Sequence, residues 1–321
     1  MAKIPTPDER APTLEAADRA LESKSQLEKP RPYLGMSSLA EPCSRKLFYR
    51  FRWAGREIFD ALTLKRFEDG FRTEDLVIQR LKMAPGVTVI DRDPATGRQI
   101  AYSDVDGHVR GHADGLIDGI LQAPKTRHVL EIKATALKKF NELQRIIRDY
   151  GQKAALRKWN PIYYGQGMLY AFYEGLTRHY TVVSTPGGRE WLGVRTDADT
   201  SIALELKAKA ERIVRANTPP VRLSETPDQF ECRFCSFANI CHRQQPPERN
   251  CRTCLHAAPV WRGQWRCERW DKILSEDAQR EGCPAHLYLP GFVAGEVDDV
   301  GESWVKYRMH DGSTFVDSET G

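Results

Sequence analysis

Two short apolar runs joined by a turn constrain the fold of this chain most. Residues 108–118 read HVRGHADGLID, residues 127–133 read RHVLEIK, and Gly119 and Pro124 lie between them. Runs of this length bounded by glycine and proline are typical of β-strands that pair as neighbours. We therefore predict adjacent strands that place Asp114, late in the first strand, beside Glu131, near the end of the second.

The segments around these strands alternate between helical and extended patterns. The predicted helices cover residues 62–82 and 136–149, a segment that begins at Pro161 with Asn160 as N-cap, and a long segment capped by Thr196 or Asp197 that ends before Pro219. Further strands are predicted over residues 86–90, 179–184 and 190–194. This order indicates an α/β fold with a mixed central sheet flanked by helices.

Composition divides the chain into three parts. Residues 1–32 are polar and rich in Pro, Glu and Lys, which predicts a disordered or loosely helical segment. Residues 33–245 hold the α/β domain, and the polar segment 244–250 (QQPPERN) reads as a linker. Residues 246–321 form a small Cys-rich module with a hairpin tail that turns at residues 310–312.

Neither a membrane partner nor secretion is expected from the sequence. No apolar run approaches the ~18 residues that a spanning helix needs, and the N-terminus lacks the apolar core of a secretory signal. We therefore expect a cytoplasmic protein.

The predicted strand pair brings together groups that suit a metal site. Adjacent carboxylates repel each other unless they share a proton or bind a cation, and oxygen ligands favour Mg²⁺ or Mn²⁺. Glu131 and Lys133 leave the same face of an extended strand, so the lysine would lie beside the cation, where the carbonyl of Ile132 could also bind. The alternative is a surface hairpin on which Glu131 and Lys133 pair in solvent.

Four segments in order resemble the RecB-like branch of the PD-(D/E)XK nuclease superfamily. GHADGLID and VLEIKAT are similar to its second and third motifs, and RFEDGFRTEDL is similar to its first. In that first motif Glu74 matches the glutamate, while Thr73 stands where many members carry histidine. YYGQGMLYAFY matches the Gln-x3-Tyr motif at Gln166 and Tyr170, which share one helical face.

This resemblance implies a restriction-endonuclease-like core in residues 33–245 and a set of site residues. The implied catalytic residues are Glu74, Asp114, Glu131, Lys133, Gln166 and Tyr170. The implied ligands of Mg²⁺ or Mn²⁺ are Glu74, Asp114, Glu131 and the carbonyl of Ile132.

The eight cysteines fall into two sets of four, a number typical of metal sites. Spacing alone makes Cys232, Cys235 and Cys241 a zinc knuckle with His242 as a candidate fourth ligand. Together with Cys43, however, they resemble the iron–sulfur subgroup of RecB-like nucleases, which includes the AddB nuclease module and the CRISPR-associated nuclease of spacer acquisition. The resemblance implies a [4Fe–4S] cluster on Cys43, Cys232, Cys235 and Cys241.

The second set has the spacing of a zinc ribbon. It comprises Cys251, Cys254, Cys267 and Cys283, with His256 and His286 as possible substitute ligands. A small module with few aliphatic residues needs such a Zn²⁺ site for stability. The alternative is a set of free buried thiols.

The resemblance implies a Mg²⁺- or Mn²⁺-dependent deoxyribonuclease. It would be an exonuclease or end-processing nuclease that acts on DNA single strands or duplex ends in recombination, repair or replication, with any protein partner in those processes left open. The net charge of +4 and two basic clusters agree with a DNA partner, although each cluster alone agrees equally well with a solvated helix face. The clusters are Arg45, Lys46, Arg50, Arg52 and Arg56, and Lys133, Lys138, Lys139, Arg145 and Arg148. The alternatives are a non-enzymatic zinc-containing DNA-binding or recruitment protein and a site-specific endonuclease on the same core.

Overall fold

The computed structural model describes residues 11–319, which form a mixed α/β structure. The helices are α1 (Pro12–Gln26), α2 (Ser44–Phe51), α3 (Ala61–Lys82), α4 (Leu137–Tyr150), α5 (Gln152–Trp159), α6 (Pro161–Glu174), α7 (Thr200–Arg215), α8 (Phe230–Arg233), α9 (Ala238–His242) and α10 (Glu276–Glu281). The strands are β1 (Leu34–Gly35), β2 (Thr88–Ile90), β3 (Ala101–Asp104), β4 (Val109–His112), β5 (Gly115–Asp118), β6 (His128–Ala134), β7 (Arg178–Ser184), β8 (Trp191–Asp197), β9 (Ala257–Val260), β10 (Gln264–Cys267), β11 (Lys272–Leu274), β12 (Gly295–Val300), β13 (Trp304–Met309) and β14 (Thr314–Ser318).

The main sheet has five strands in the order β2-β5-β6-β7-β8. Neighbours in this sheet are antiparallel except β6 and β7, which are parallel. Apolar side chains alternate along β6, so Leu130 and Ile132 pack with Val77 and Ile78 of α3, while Val129 belongs to the larger core that includes α6. The mixed sheet with helices against it confirms the predicted α/β class.

Local capping explains where α3 and α6 begin. The Asp60 side chain accepts a hydrogen bond from Thr63 N at 2.7 Å at the start of α3. The Asn160 side chain accepts from Ile162 N at 3.0 Å and from Tyr163 N at 3.1 Å, with Pro161 as the first helical residue of α6. The predicted cap at Asn160 is therefore confirmed.

The prediction of one strand over residues 108–118 is wrong. β4 pairs with β1 and β3 in a separate sheet, and β5 pairs with β2 and β6 in the main sheet. Ala113 and Asp114 lie where the chain passes from one sheet to the other. Apolar periodicity continues through this crossing, which is why the sequence reads as a single strand.

The cap of the last long helix differs from expectation, and the N-terminal segment follows one of its two predicted alternatives. The last long helix, α7, is capped by the side chain of Asp199, which accepts from Ser201 N at 3.0 Å, while Thr196 and Asp197 remain in β8. Of the segment 1–32, residues 1–10 lie outside the described residues, and Pro12–Gln26 form α1, which agrees with the helical alternative rather than with disorder. Glu22 holds α1 to α3 by accepting a hydrogen bond from Ala61 N at 2.8 Å.

The Cys-rich C-terminal part packs directly onto the α/β domain. Its Trp265 is fully buried against Phe51 of α2, with ring centroids 5.4 Å apart. The buried Arg252 guanidinium donates to Phe51 O and Pro32 O, each at 3.0 Å, and lies 3.6 Å from the ring centroid of Trp53. The apolar core therefore continues across the segment 244–250. The predicted hairpin at residues 310–312 is confirmed between β13 and β14.

None of the helices between residues 11 and 319 is long and apolar enough to cross a membrane.

Candidate active site

Asp114 lies where the chain leaves β4 and enters β5, next to the middle of β6. It is 7% exposed, and its Oδ2 accepts a hydrogen bond from Ile132 N at 2.6 Å. Since Gly115 pairs with Leu130 in antiparallel register, Asp114 stands opposite Glu131. The change of sheet thus places Asp114 immediately before β5 of the main sheet, beside Glu131 of the neighbouring strand β6.

Glu131 is 2% exposed and is held from two sides. Its Oε1 accepts hydrogen bonds from Lys133 Nζ at 2.5 Å and from Gln166 Nε2 at 2.7 Å. Its other oxygen, Oε2, is buried without a hydrogen-bond partner in the described part of the chain. A buried carboxylate oxygen of this kind is costly unless another group binds it.

Helix α6 contributes the polar groups above Glu131. Gln166 Nε2 also donates to Tyr170 OH at 3.2 Å, which fixes the amide orientation and leaves its buried Oε1 without a partner among residues 11–319. The sequence analysis missed Tyr163, whose ring centroid lies 4.9 Å from Lys133 Nζ. Its position three residues before Gln166, on the same helical face, was the available signal.

Glu74, which lies on α3, reaches the same site as Asp114. Burial and the neighbouring Asp114 raise the pKa of Glu74 to about 7, and the two carboxyl groups are hydrogen-bonded to each other. Burial also raises the pKa of Asp114. Two carboxyl groups in a hydrogen bond share one proton, which is one of the two ways to relieve their repulsion.

The charges of the site depend on one another. Burial, followed by the charge of Asp114, raises the pKa of Glu131 to about 8. Burial would lower the pKa of Lys133, but the charges of Glu131 and Asp114 outweigh it and hold that pKa above its ordinary value. The lysine therefore stays protonated, and the three acids carry excess negative charge once they ionise.

The residues present fit a divalent cation in chemistry but do not form a closed shell. Within residues 11–319, no group of three or more His, Cys, Asp or Glu side chains is arranged to hold a metal ion. The partnerless Glu131 Oε2 and Gln166 Oε1 are oxygen atoms, the ligand type that Mg²⁺ and Mn²⁺ prefer. A cation bound here would require Glu74, Asp114 and Glu131 to adjust towards it.

Two other predicted positions have clear structural settings. The side chain of Ile132 packs in the apolar cluster with Val77 and Ile78, away from Glu131. Thr73 is 1% exposed, and its hydroxyl accepts a hydrogen bond from Gly187 N at 3.3 Å. The position that carries histidine in the resembled motif therefore supports the loop before β8 in this chain.

The first cysteine set gathers from both ends of the α/β domain. Cys43 caps α2, with its sulfur accepting from Lys46 N at 3.4 Å. Burial and the neighbouring Cys43 and Cys241 raise the pKa of Cys232, and burial raises the pKa of Cys235, with the same two thiols as further causes. The four thiols thus affect one another, although the described residues do not form a closed metal site there. His242 lies nearby, half-buried at the end of α9.

The second set also shares one neighbourhood. Burial, then the nearby Cys254, Cys283 and Cys267, raises the pKa of Cys251 to about 12. Of the two candidate substitutes, His286 is buried and pairs with Thr253 Oγ1 at 3.2 Å, and His256 donates its backbone N–H to Cys254 Sγ at 3.4 Å. The arrangement falls short of a metal-holding group in the part of the chain that the structure describes.

The first basic cluster is mostly committed to internal contacts. Arg52 is 1% exposed, and Lys46 and Arg50 form ion pairs with Glu41 at 2.6 Å and 2.8 Å. These side chains hold α2 in place, so the expectation that they neutralise phosphates is wrong for Arg52. In the second cluster, by contrast, Lys138 and Lys139 of α4 are exposed.

Solved structures show a limited likeness to this chain. The chain is similar to the crystal structure of SSO0001, with 15% identity and a TM-score of 0.40 over 72% of this chain and 96% of that one. It is also similar to an alkaline exonuclease (LHK-Exo) from Laribacter hongkongensis, with 14% identity and a TM-score of 0.40 over 61% of this chain and 90% of that one.

The same exonuclease in complex with dAMP gives 14% identity and a TM-score of 0.38 over 62% and 90% of the two chains. No protein-family model and no curated protein matches the sequence. Since these TM-scores lie below 0.5, the likeness carries no inference about activity.

Proposed function

We propose that this chain is a Mg²⁺- or Mn²⁺-dependent deoxyribonuclease with a PD-(D/E)XK core, acting as an exonuclease or end-processing enzyme in recombination, repair or replication. One observation carries the proposal. Glu74, Asp114 and Glu131 lie around one protonated lysine, with raised carboxyl pKa values and a buried oxygen of Glu131 without a partner. Perturbed acids of this kind cluster at catalytic sites.

In the proposed enzyme the cation would be held by Glu74, Asp114, Glu131 and the carbonyl of Ile132. A divalent cation supplies Lewis-acid polarisation of the phosphate and activation of water. Each remaining role belongs to a protein group. Asp114 is held by Ile132 N, and Glu131 is held by Lys133 and Gln166, so both carboxylates would start from ordered positions when they adjust towards the cation.

Lys133 would stabilise the charge that develops on the scissile phosphate. It stays protonated and is held between Glu131 Oε1 and the face of the Tyr163 ring. The positive charge of Lys133 acts more strongly on this developing negative charge in a place shielded from water than it would in solution. Tyr170 and Gln166 would complete this wall of the site from α6.

Both cysteine sets are proposed as structural metal sites. A [4Fe–4S] cluster on Cys43, Cys232, Cys235 and Cys241 would join α2 to the segment after α7, since these thiols come from distant parts of the chain. Zn²⁺ on Cys251, Cys254, Cys267 and Cys283 would stabilise the C-terminal module. The proximity of the thiols supports both proposals, because Cys232 and Cys251 each lie close enough to other cysteines of their set to be affected by their charges, and a bound metal would relieve that repulsion.

A digest of end-labelled DNA tests the activity. Single-stranded, blunt duplex and circular substrates are incubated with Mg²⁺ or Mn²⁺, with EDTA as the control. We expect linear DNA to lose its end label only when metal is present. Circular DNA should stay uncut, because an exonuclease needs an end. Fragments of defined internal length would indicate a site-specific endonuclease. Intact DNA with either metal would indicate a non-enzymatic DNA-binding protein and contradict the proposal.

A further inference from the structure

The N-terminal half of α3 extends an apolar face beyond the sheet that its C-terminal half covers. Residues three and four apart lie on one face of a helix, so Phe67, Phe71 and Glu74 share a face with the buried Ile78. Ile78 is 8% exposed, whereas Phe67 is 47% and Phe71 is 71% exposed. The face therefore passes from packed core, through Glu74 of the candidate site, to two open aromatic rings.

The space around these rings suits a flat ligand. Gly70 lies on the same side of α3, and a Cβ placed on it would meet no described atom within 4 Å. The Phe67 ring is held at one edge by Phe59, with centroids 5.2 Å apart and a T-shaped arrangement. One ring is thus oriented in advance, with glycine leaving the helix backbone between the two rings open to contact.

The spacing of the rings distinguishes unpaired from paired bases. The Cβ atoms of residues four apart on a helix lie roughly 5–6 Å apart, whereas stacked bases in a duplex are separated by about 3.4 Å. Two rings one helical turn apart can each stack on one base only when the two bases are not stacked on each other. A strand without its complement allows this freely, because unstacked bases bind aromatic faces with little dependence on sequence.

We propose that Phe67 and Phe71 form a base-stacking platform that leads a single strand of nucleic acid to Glu74 and Asp114. The inference rests on the proposed nuclease function for its substrate and names the strand state that the site accepts. Phe71, one turn before Glu74, would hold the base nearest the scissile phosphate. Phe67 would hold the next base along the strand.

Binding measured in EDTA tests the platform separately from cleavage. Fluorescence anisotropy would compare labelled single strands, the same strand with consecutive abasic positions, and a blunt duplex. Phe71→Ala and the Phe67→Ala/Phe71→Ala pair are the test variants. Leu62→Ala is the matched control, because Leu62 is 56% exposed on the opposite side of the same helix.

We expect the double variant to bind the single strand roughly tenfold to hundredfold more weakly, while Leu62→Ala binds as wild type. The abasic strand should bind wild type and the double variant equally. Phe71→Ala alone should show part of the loss, and its exposure makes a folding defect at that position small. Unchanged single-strand binding by the double variant, or an equal loss with the blunt duplex, would overturn the platform. Single-strand loss in a protein that cleaves no DNA would support the platform and contradict the nuclease function.

Discussion

Glu74, Asp114 and Glu131 meet in a buried place that contains one lysine. Burial, followed by the charge of Asp114, raises the pKa of Glu74 to about 7 and that of Glu131 to about 8, and burial also raises the pKa of Asp114. Three buried acids in one site add little stability to the folded chain, since buried acids cost free energy unless they are paired. Their convergence is better explained by a ligand that neutralises them.

Glu74 is the carboxylate whose role is tested most cleanly by substitution. Glu74→Gln removes its charge but keeps its size and a hydrogen bond towards Asp114. We expect kcat/KM for DNA cleavage to fall roughly tenfold to hundredfold, because the amide keeps an oxygen for the proposed cation but lacks the negative charge of the carboxylate. Asp75→Asn is the matched control, since Asp75 is the next residue and is exposed. Cleavage by Glu74→Gln at the wild-type rate, with Asp75→Asn equal to it, would remove Glu74 from the site.

His108 gives a pH dependence to stability. It is 1% exposed between Phe51 and Trp265, and burial lowers its pKa to about 4 from an ordinary value of 6.5. At pH values between about 4 and 6.5, the unfolded chain therefore binds a proton at this histidine, and the folded chain does not. Stability is full above pH 6.5 and is lost as the pH falls towards 4.

Urea unfolding at pH 7.5, 6 and 5 measures this loss. His108→Gln keeps an N–H donor for Val260 O, which the histidine ring contacts at 2.8 Å, but does not titrate. We expect the decline in unfolding free energy to be smaller in this variant by on the order of 1–2 kcal/mol. The exposed His310→Gln should decline like wild type. Parallel curves for His108→Gln and wild type would contradict this origin of the pH dependence.

At the scale of elements, the close approach of α6 to β7 positions Gln166 and Tyr170. A Cβ on Gly167 would lie 2.8 Å from ring atoms of His179, which is fully buried in β7. Gly167→Ala must therefore displace either α6 or the buried ring of His179. Because Gln166 is the adjacent residue, its hydrogen bond to Glu131 should lengthen or break.

We expect Gly167→Ala to lower the unfolding free energy by about 1–3 kcal/mol and to reduce cleavage more than it reduces DNA binding. Gly70→Ala serves as the control for the stability measurement alone, since nothing described lies near its added methyl group. That variant should keep or gain stability, by roughly 0.5–1 kcal/mol. A stable Gly167→Ala protein with full activity would show that α6 tolerates displacement.

Local signals predicted the elements that cap themselves and missed those that depend on distant partners. The Asn160–Pro161 start of α6 and the helix over residues 62–82 follow from residues within one turn. The change of sheet at Asp114 does not, because it depends on β1 and β2, which lie far away along the chain. Tyr163 was missed for a similar reason, since only the fold brings Lys133 beneath its ring.

At the scale of the whole molecule, the C-terminal part shares a core with the α/β domain. Arg52 and Arg252 lie buried at this junction and donate to backbone carbonyls, among them Ala216 O at 2.8 Å and Phe51 O at 3.0 Å. The polar composition of residues 244–250 predicted a linker but could not reveal the contacts on either side of it. Composition reports local exposure, whereas the junction depends on pairs some 200 residues apart.

The two proposed cysteine sites should respond independently to substitution. Anaerobically purified protein should be brown, with about four irons and one zinc per chain if each site has the usual four-thiolate stoichiometry. Cys232→Ser should bleach the protein and destabilise it, because Cys232 belongs to the long-range set. Cys267→Ser should release zinc and keep the colour. Colourless anaerobic protein with two zinc ions would contradict the iron–sulfur assignment and leave the carboxylate site unaffected.

The most direct test of the nuclease assignment is single-turnover cleavage of end-labelled DNA by Lys133→Ala and Asp114→Asn beside wild type, with DNA binding measured on the same preparations. Lys139→Ala, an exposed lysine on the neighbouring helix α4, is the control for loss of positive charge. We predict that both site variants lose cleavage in Mg²⁺ and Mn²⁺ while they bind DNA nearly as wild type, because phosphate contacts are spread over many residues. Cleavage at the wild-type rate by either site variant would contradict the catalytic role assigned to these residues.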